Sequence, residues 1–161
     1  MFRRGFIALF ILLTTVCASA QLPVAQMFLS MPDTLCPYLD MRQRVMLLEY
    51  ANHNATDSVE NIFGGKSIVL SKTDNCLELQ VADGFTMTLL ADSASFLLIQ
   101  TACAPLCSSI VKRYVANWIY VEELKPEKQC MLPRAEVIDG RISWSDQTLL
   151  LLDEEEKKYY D

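Results

Sequence analysis

The chain has 161 residues and carries 20 acidic side chains against 14 lysines and arginines, so its formal net charge is −6 at pH 7. Because such a chain repels phosphate backbones and contains no cluster of basic residues, its composition argues against a nucleic-acid partner. Hydrophobic residues make up 52% of the sequence, which is enough for one buried core, and the length is typical of a single domain.

The first twenty residues have the pattern of a secretory signal peptide. Arg3 and Arg4 precede an apolar stretch at residues 5–16, and three small residues at 18–20 form a cleavage site. The apolar stretch is too short to span a membrane comfortably. We therefore expect cleavage after Ala20, leaving an exported domain at residues 21–161 in the periplasm or outside the cell, with no membrane span.

Residues 22–50 are predicted to be helical. Pro23 suits a first helical turn, and the apolar residues that follow it have helical spacing. A further helix is predicted to begin after Asp40, because Gln43 lies three residues later, where a capping box places its second partner. This helix is predicted to turn Met41, Val45 and Leu48 toward the core and Arg42, Arg44 and Glu49 toward solvent.

Residues 66–114 are predicted to form an antiparallel meander of about five strands. Turn residues separate its runs at 73–75, 82–84, 92–93 and 104–106. These breaks are too short for a crossover helix, and the runs between them are rich in Val, Ile, Leu, Phe and Thr. The run at 96–99 is apolar throughout, which indicates a central strand covered on both faces.

The pattern weakens in the C-terminal third. Residues 117–121 are predicted to form one more strand and residues 125–134 a loop. A closing hairpin is expected from residues 142–144 and 148–152, with its turn at 145–147. The predicted fold class is therefore α+β, with N-terminal helices packed on an antiparallel β-meander of about five or more strands and a small C-terminal hairpin.

Two cysteines, Cys103 and Cys107, flank a predicted three-residue turn. Flanking positions of such a turn bring the Cα atoms to about 5–6 Å, within disulfide range. A structural disulfide that fixes the hairpin register is the favoured interpretation, with free thiols or a redox pair as alternatives, because an exported protein is allowed disulfides. The sequence assigns no pairing to the other three cysteines that follow the leader, Cys36, Cys76 and Cys130.

Candidate catalytic and metal-binding residues are few. His53 is the one histidine, and its place at a polar helix end is explained by the helix dipole alone. A zinc site built from His53, Cys130 and the Cys103–Cys107 pair lacks the usual ligand spacing. No metal, cofactor or catalytic residue is therefore predicted. A carboxylate pair is the remaining route to hydrolysis, with candidates in turns or on solvent-facing strand positions: Glu78, Asp83, Asp92, Glu122 and Glu123.

Trp118 and Tyr120 are the candidates for a binding face. Exposed aromatic side chains on a sheet can stack on a sugar or anchor a protein partner. For Trp118 the favoured alternative is packing in the core.

Several short motifs resemble one known family. They are MFLSMPDTLCPYL at 27–39, FGGKS at 63–67, TACAP at 101–105 and the segment at 114–118. Over residues 20–125 the chain is similar to a small exported family of Bacteroidales bacteria known only as a domain of unknown function. The resemblance implies a location in the bacterial envelope or outside the cell, and it implies no catalytic residue. After Glu122 the chain departs from the family's pattern.

The expected function is that of a non-enzymatic cell-envelope binding or assembly-accessory protein, with an envelope protein or a glycan as its partner. The alternative is a glycan- or peptidoglycan-acting hydrolase that uses a carboxylate pair. A binding protein should show an apolar patch or groove, whereas a hydrolase should show a concave pocket where two carboxylates converge. A structural subunit of a larger complex should show a long unpaired edge strand.

Overall fold

The computed structural model describes residues 23–53, 57–92 and 94–148; the predicted signal peptide lies outside these residues. Two helices, α1 (Val24–Leu29) and α2 (Met41–Asn52), precede all the strands. Seven strands then form one antiparallel sheet in chain order, and two further strands form a separate hairpin. They are β1 (Val59–Glu60), β2 (Lys66–Lys72), β3 (Cys76–Ala82), β4 (Phe85–Asp92), β5 (Ser95–Cys103), β6 (Cys107–Val115), β7 (Ile119–Leu124), β8 (Pro133–Ile138) and β9 (Arg141–Asp146).

The α+β prediction is confirmed. The five predicted runs of the meander are strands β2 to β6, and their turns fall where the sequence placed them. Strands β1 and β7 extend the sheet at its two edges. Across the described residues, no helix is long and apolar enough to cross a membrane.

One face of the sheet packs against the two helices. Alternate side chains of β3, β4 and β5 point to this side, as the period of a strand requires, and those in the middle of the strands are buried against α1 and α2. Each such side chain contributes about 1.5–3 kcal/mol through removal from water. The largest members are Met27, Phe28, Leu47, Leu77, Leu79, Met87, Leu89 and Leu98.

The opposite face of the sheet is covered in part by the β8–β9 hairpin. Leu97, Ile99 and Val111 are buried there together with Ala135 of β8. Because Phe96 and Leu98 point to the helices, the apolar run at 96–99 is covered on both faces, as predicted. The hairpin thus completes a second, smaller core over β5 and β6.

The turn of this hairpin differs from the prediction. It lies at Asp139-Gly140, where both residues have positive φ (50° and 72°), and Ile138 pairs with Arg141 across it. Asp-Gly is a favoured dipeptide for such a two-residue turn, because glycine and aspartate accept left-handed backbone conformations at low cost. The predicted turn at 145–147 is wrong; Asp146 ends β9, and the expected second strand at 148–152 lies almost wholly outside the described residues.

Helix α2 turns a different face to the core than its apolar spacing predicts. The capping box is present, with the Asp40 carboxylate accepting from the Gln43 backbone N–H at 2.8 Å. However, Met41 is 53% exposed whereas Arg44 is only 1% exposed. The prediction that Arg44 points to solvent is wrong, because its guanidinium finds enough oxygen acceptors inside the protein to replace water.

The acceptors for Arg44 belong to the loop at residues 31–39. The Nε–H donates to the Leu39 carbonyl at 3.0 Å, and the terminal nitrogens donate to the carbonyls of Met31 and Cys36. A further bond at 2.8 Å reaches the carboxylate of Asp33, which is largely exposed. Because solvent screens the Asp33 charge, the buried carbonyls are the partners that matter most for stability.

Replacing Arg44 should therefore release the loop at residues 31–39 from helix α2 and destabilise the protein. We expect Arg44→Met to lower the free energy of unfolding by about 2–4 kcal/mol, because it leaves buried carbonyls without a donor. The matched control is Arg42→Met, which removes an exposed arginine from the same helix and should change stability by less than about 0.5 kcal/mol. Urea unfolding of both variants measures this; equal stability of the two would contradict the role of Arg44.

The β3–β4 turn brings two backbones into close contact. Gly84 has φ +68°, and a Cβ atom at this position would lie 2.7 Å from the Cys103 carbonyl oxygen. The Cys103 N–H donates to the Gly84 carbonyl at 2.7 Å. Glycine is therefore needed here both for its backbone conformation and for the space.

The two requirements can be separated with a second glycine. Gly64 also has positive φ (+82°), but a Cβ atom there would meet nothing within 4 Å. We expect Gly64→Ala to cost about 1 kcal/mol from the left-handed conformation alone. Gly84→Ala should cost about 1–3 kcal/mol more because of the clash. Urea unfolding measures the free energy of unfolding of both variants. Similar losses in the two would contradict a steric role for Gly84, because the backbone at Cys103 would then have moved away from the added Cβ atom at little cost.

Candidate functional site

The two aromatic candidates, Trp118 and Tyr120, line the same open groove but are exposed to different extents. Trp118 is 8% exposed and packs edge-to-face against Tyr114, with ring centroids 5.4 Å apart. Its indole N–H donates to the Ser30 hydroxyl at 3.3 Å. Tyr120 is largely exposed, and its ring centroid lies 6.0 Å from that of Tyr114. Trp118 therefore forms part of the floor, and Tyr120 stands at the rim.

Trp118 sits in a turn and not in the strand predicted for residues 117–121. Asn117 and Trp118 both have left-handed backbone conformations, with φ of 61° and 59°. Asparagine accepts this conformation readily, whereas for a bulky residue it costs about 1–2 kcal/mol. Burial of the indole and its bond to Ser30 offset that cost. Backbone strain of this kind concentrates at functional sites.

Strand β7, which follows this turn, exposes three successive apolar side chains. Ile119, Tyr120 and Val121 are between 48% and 60% exposed. In the register with β6, Tyr120 pairs with Tyr114 and Glu122 with Arg113, so Val121 is the extra residue of a bulge. Among the described residues no strand pairs with the outer edge of β7. Since bulges and charged side chains discourage strand addition, the side chains rather than the backbone are the available contacts.

The groove beside these residues has a volume of about 490 Å³. One wall comes from the loop at 31–39, which Arg44 holds from beneath and which Gln100 holds through a bond of 3.1 Å to the Leu35 carbonyl. We call this site the tyrosine groove, and its lining residues are Pro32, Thr34, Leu35, Lys112, Tyr114, Trp118, Tyr120 and Glu123. The sequence named Trp118 and Tyr120 as binding candidates, whereas Tyr114 and the loop appeared there only within the family motifs at 114–118 and 27–39.

The electrostatics of the tyrosine groove are close to neutral. Lys112 and Glu123, its two charged residues, are direct cross-strand neighbours in the β6–β7 register. Burial, and to a smaller extent the neighbouring Tyr120, raises the pKa of Tyr114, so its phenol stays protonated and uncharged at neutral pH. The groove is therefore suited to apolar groups and to hydrogen-bonding partners, and not to a strongly charged ligand.

The predicted disulfide between Cys103 and Cys107 is present. The two residues are directly paired in the β5–β6 register, and their Cα atoms are 3.9 Å apart, closer than the separation expected from the turn length. The disulfide closes the β5–β6 turn, at the opposite end of the strands from Trp118. It therefore fixes that hairpin and takes no part in the tyrosine groove.

The remaining cysteines and His53 form no common site. Within the described ranges, no group of three or more His, Cys, Asp or Glu side chains could hold a metal ion. Cys36 is buried, and Cys76 and Cys130 are partly buried. Burial raises the pKa of the Cys36 thiol, with Arg44 acting in the opposite direction. His53 lies exposed at the C-terminal end of α2.

Two of the candidate carboxylates meet at a guanidinium. Arg113 donates through a terminal nitrogen to Asp92, and its Nε lies 3.0 Å from a Glu122 oxygen although its hydrogen is not directed at it. A hydrolase needs one of two carboxyl groups to take up and release a proton. Here both carboxylates contact one arginine, which is an ion-pair arrangement.

The chain matches the family described as "Protein of unknown function (DUF3256)" over residues 15–138. It belongs to this family. The predicted match to a domain of unknown function is therefore confirmed. It extends to residue 138, so the expectation that the chain departs from the family's pattern after Glu122 is wrong. The matched residues include both helices, the whole seven-stranded sheet and strand β8.

No curated protein is similar enough to this DUF3256 chain to match it. Among solved structures, it is similar to a domain of an uncharacterized protein from Porphyromonas gingivalis W83, with a TM-score of 0.65 and 20% sequence identity. The alignment covers 84% of this chain and 87% of that one. At this level of identity the similarity shows a shared fold and nothing about activity.

The state of the cysteines in the DUF3256 protein can be tested by alkylation. We expect the peptide with Cys103 and Cys107 to show a mass deficit of two hydrogens without reductant. Cys36 should react with iodoacetamide only after denaturation, because it is buried and its raised pKa keeps the thiolate scarce at neutral pH. Cys130, which is partly exposed, should react in the native protein. Alkylation of Cys103 and Cys107 in the native protein without reductant would contradict the disulfide.

Proposed function

We propose that this DUF3256 protein is a non-enzymatic binding protein of the cell envelope that docks another exported protein at the tyrosine groove. The observation that carries the proposal is the exposed ring of Tyr120 at the rim of an open groove whose floor is formed by Tyr114 and Trp118. A single exposed apolar residue on a surface is ordinary. An exposed aromatic side chain at the rim of a shaped groove with an aromatic floor is typical of an interaction site.

A protein segment is the occupant that fits the chemistry of the groove. Tyrosine and tryptophan are the residue types that most often dominate binding energy in protein interfaces, and here they form the floor and rim. Because Lys112 and Glu123 balance each other, the groove favours an apolar side chain flanked by polar groups over a charged small molecule. Its openness allows a side chain on a partner's surface to enter.

The envelope location rests on two supports. The leader at residues 1–20 has the pattern of a signal peptide. The Cys103–Cys107 disulfide is compatible with an oxidising compartment outside the cytosol. The hydrolase alternative has less support, because Asp92 and Glu122 converge on Arg113 and not on a free pocket.

A photocrosslinking experiment in intact cells tests the docking site. Benzoylphenylalanine is placed at Tyr120 in one variant and at Leu70 in another; Leu70 is a similarly exposed apolar residue on β2, near the other edge of the sheet. We expect one discrete protein adduct from position 120 and none from position 70. The same adducts from both positions, or a glycan adduct at 120, would contradict the proposed partner.

Affinity measurement with the identified partner gives a second check. Tyr120→Ala should weaken binding by about 30-fold, the loss typical of an interface residue worth 2 kcal/mol. Ile138→Ala, at an exposed apolar position on β8, should leave the dissociation constant unchanged. Equal effects of the two substitutions would place the interface elsewhere.

A further inference from the structure

A second groove lies on the opposite face of the sheet, where the hairpin covers only part of it. Strands β2 to β5 form the floor and residues 134–138 of β8 form one wall, and the enclosed volume is about 370 Å³. We call it the hairpin groove. Its size is that of a small-molecule site, and it shares no lining residue with the tyrosine groove.

The strand register surrounds one carboxylate with hydroxyl groups. Glu78 of β3 pairs with Ser71 on one side and with Thr88 on the other. Cross-strand neighbours of this kind have Cβ atoms about 4.5–5.5 Å apart, so the three side chains point into the same space. Thr86 lies on the same face, two residues along β4 from Thr88. The floor thus offers a carboxylate among three hydroxyls.

A separate hydrogen-bond chain fixes the wall above this floor. The hydroxyls of Thr101 and Ser109 are 2.7 Å apart, and Ser109 Oγ accepts the Ala135 backbone N–H at 2.9 Å. Strand β8 is therefore attached to the sheet by its own backbone. Because the attachment does not involve Glu78, Thr86 or Thr88, their polar atoms remain free to meet a ligand.

The charge in the hairpin groove is unbalanced. Three acidic or basic side chains line it, and two of them, Arg134 and Glu136, form an ion pair at 2.9 Å. Glu78 has no such partner among the described residues and is half-buried. Burial and then the negative charge of Glu78 raise the pKa of the neighbouring Cys76 thiol, which stays neutral and adds no charge. A partly buried carboxylate without a counter-ion favours a cation.

We propose that the hairpin groove binds a small organic cation with a primary ammonium group, with Glu78 as the counter-ion. An ammonium has three N–H donors, and the Glu78 carboxylate with the Thr88 and Ser71 hydroxyls supplies three matching acceptors. Ile99 and Ile138 give an alkyl chain an apolar contact. A sugar fits less well, because none of the lining residues is aromatic.

Titration of the labelled protein by amide NMR tests the site with two probes of equal length. The cation is 1,4-diaminobutane, and its neutral counterpart is 1,4-butanediol. We expect diaminobutane to shift the amide signals of Ser71, Glu78 and Thr88 with a millimolar or tighter dissociation constant, while butanediol leaves them in place. No shift at these residues, or an equal response to both probes, would overturn the proposal.

Two substitutions separate a specific site from general attraction to an acidic protein. Glu78→Gln removes the charge and keeps the shape, and it should weaken diaminobutane binding by at least about tenfold. Glu49→Gln makes the same change on the exposed face of α2 and should leave binding unchanged. The spectrum of each free variant shows whether its fold is intact. Wild-type affinity in a folded Glu78→Gln variant, or equal weakening in both variants, would overturn the proposal.

Discussion

The buried guanidinium of Arg44 is the interaction on which the shape of the tyrosine groove depends. The loop at 31–39 has few backbone hydrogen bonds of its own, and Arg44 donates to three of its carbonyl groups from within α2. Its planar guanidinium carries five N–H donors in a fixed geometry, against three on a lysine ammonium. Because the same loop supplies one wall of the tyrosine groove, a side chain in the interior of the protein positions residues on its surface.

The two faces of the sheet differ because their side chains differ. The helix-facing side of β3 and β4 is apolar throughout, so it requires a continuous cover, which α1 and α2 provide. On the other side, Leu97 and Val111 attract the hairpin to β5 and β6, whereas the threonines of β4 do not need apolar cover. The incomplete cover leaves the hairpin groove. The two grooves therefore have separate physical origins, one in the loop held by Arg44 and one in the polar part of the sheet.

The sequence predicted those features that have local causes. Short turn motifs defined β2 to β6, the Asp40–Gln43 pair marked the start of α2, and the spacing of Cys103 and Cys107 indicated their disulfide. The burial of Arg44 could not be predicted, because its partners are backbone carbonyls whose positions depend on the fold. The Asp139-Gly140 turn was a visible signal, but the leucine run that follows residue 148 suggested a strand further along the chain. Both grooves combine side chains from distant segments, which no local pattern connects.

Trp118 joins the tyrosine groove to the helical layer. Glycine would fill its position in the turn without conformational cost, yet the chain has a tryptophan there with a left-handed backbone. The indole joins the end of α1, through Ser30, to Tyr114 in the sheet. This contact ties the turn before β7 to the helical layer, so the floor of the groove is held by both the helices and the sheet. In the proposed docking, a side chain that is already packed loses little conformational entropy, and more of the free energy of apolar contact is then available as affinity.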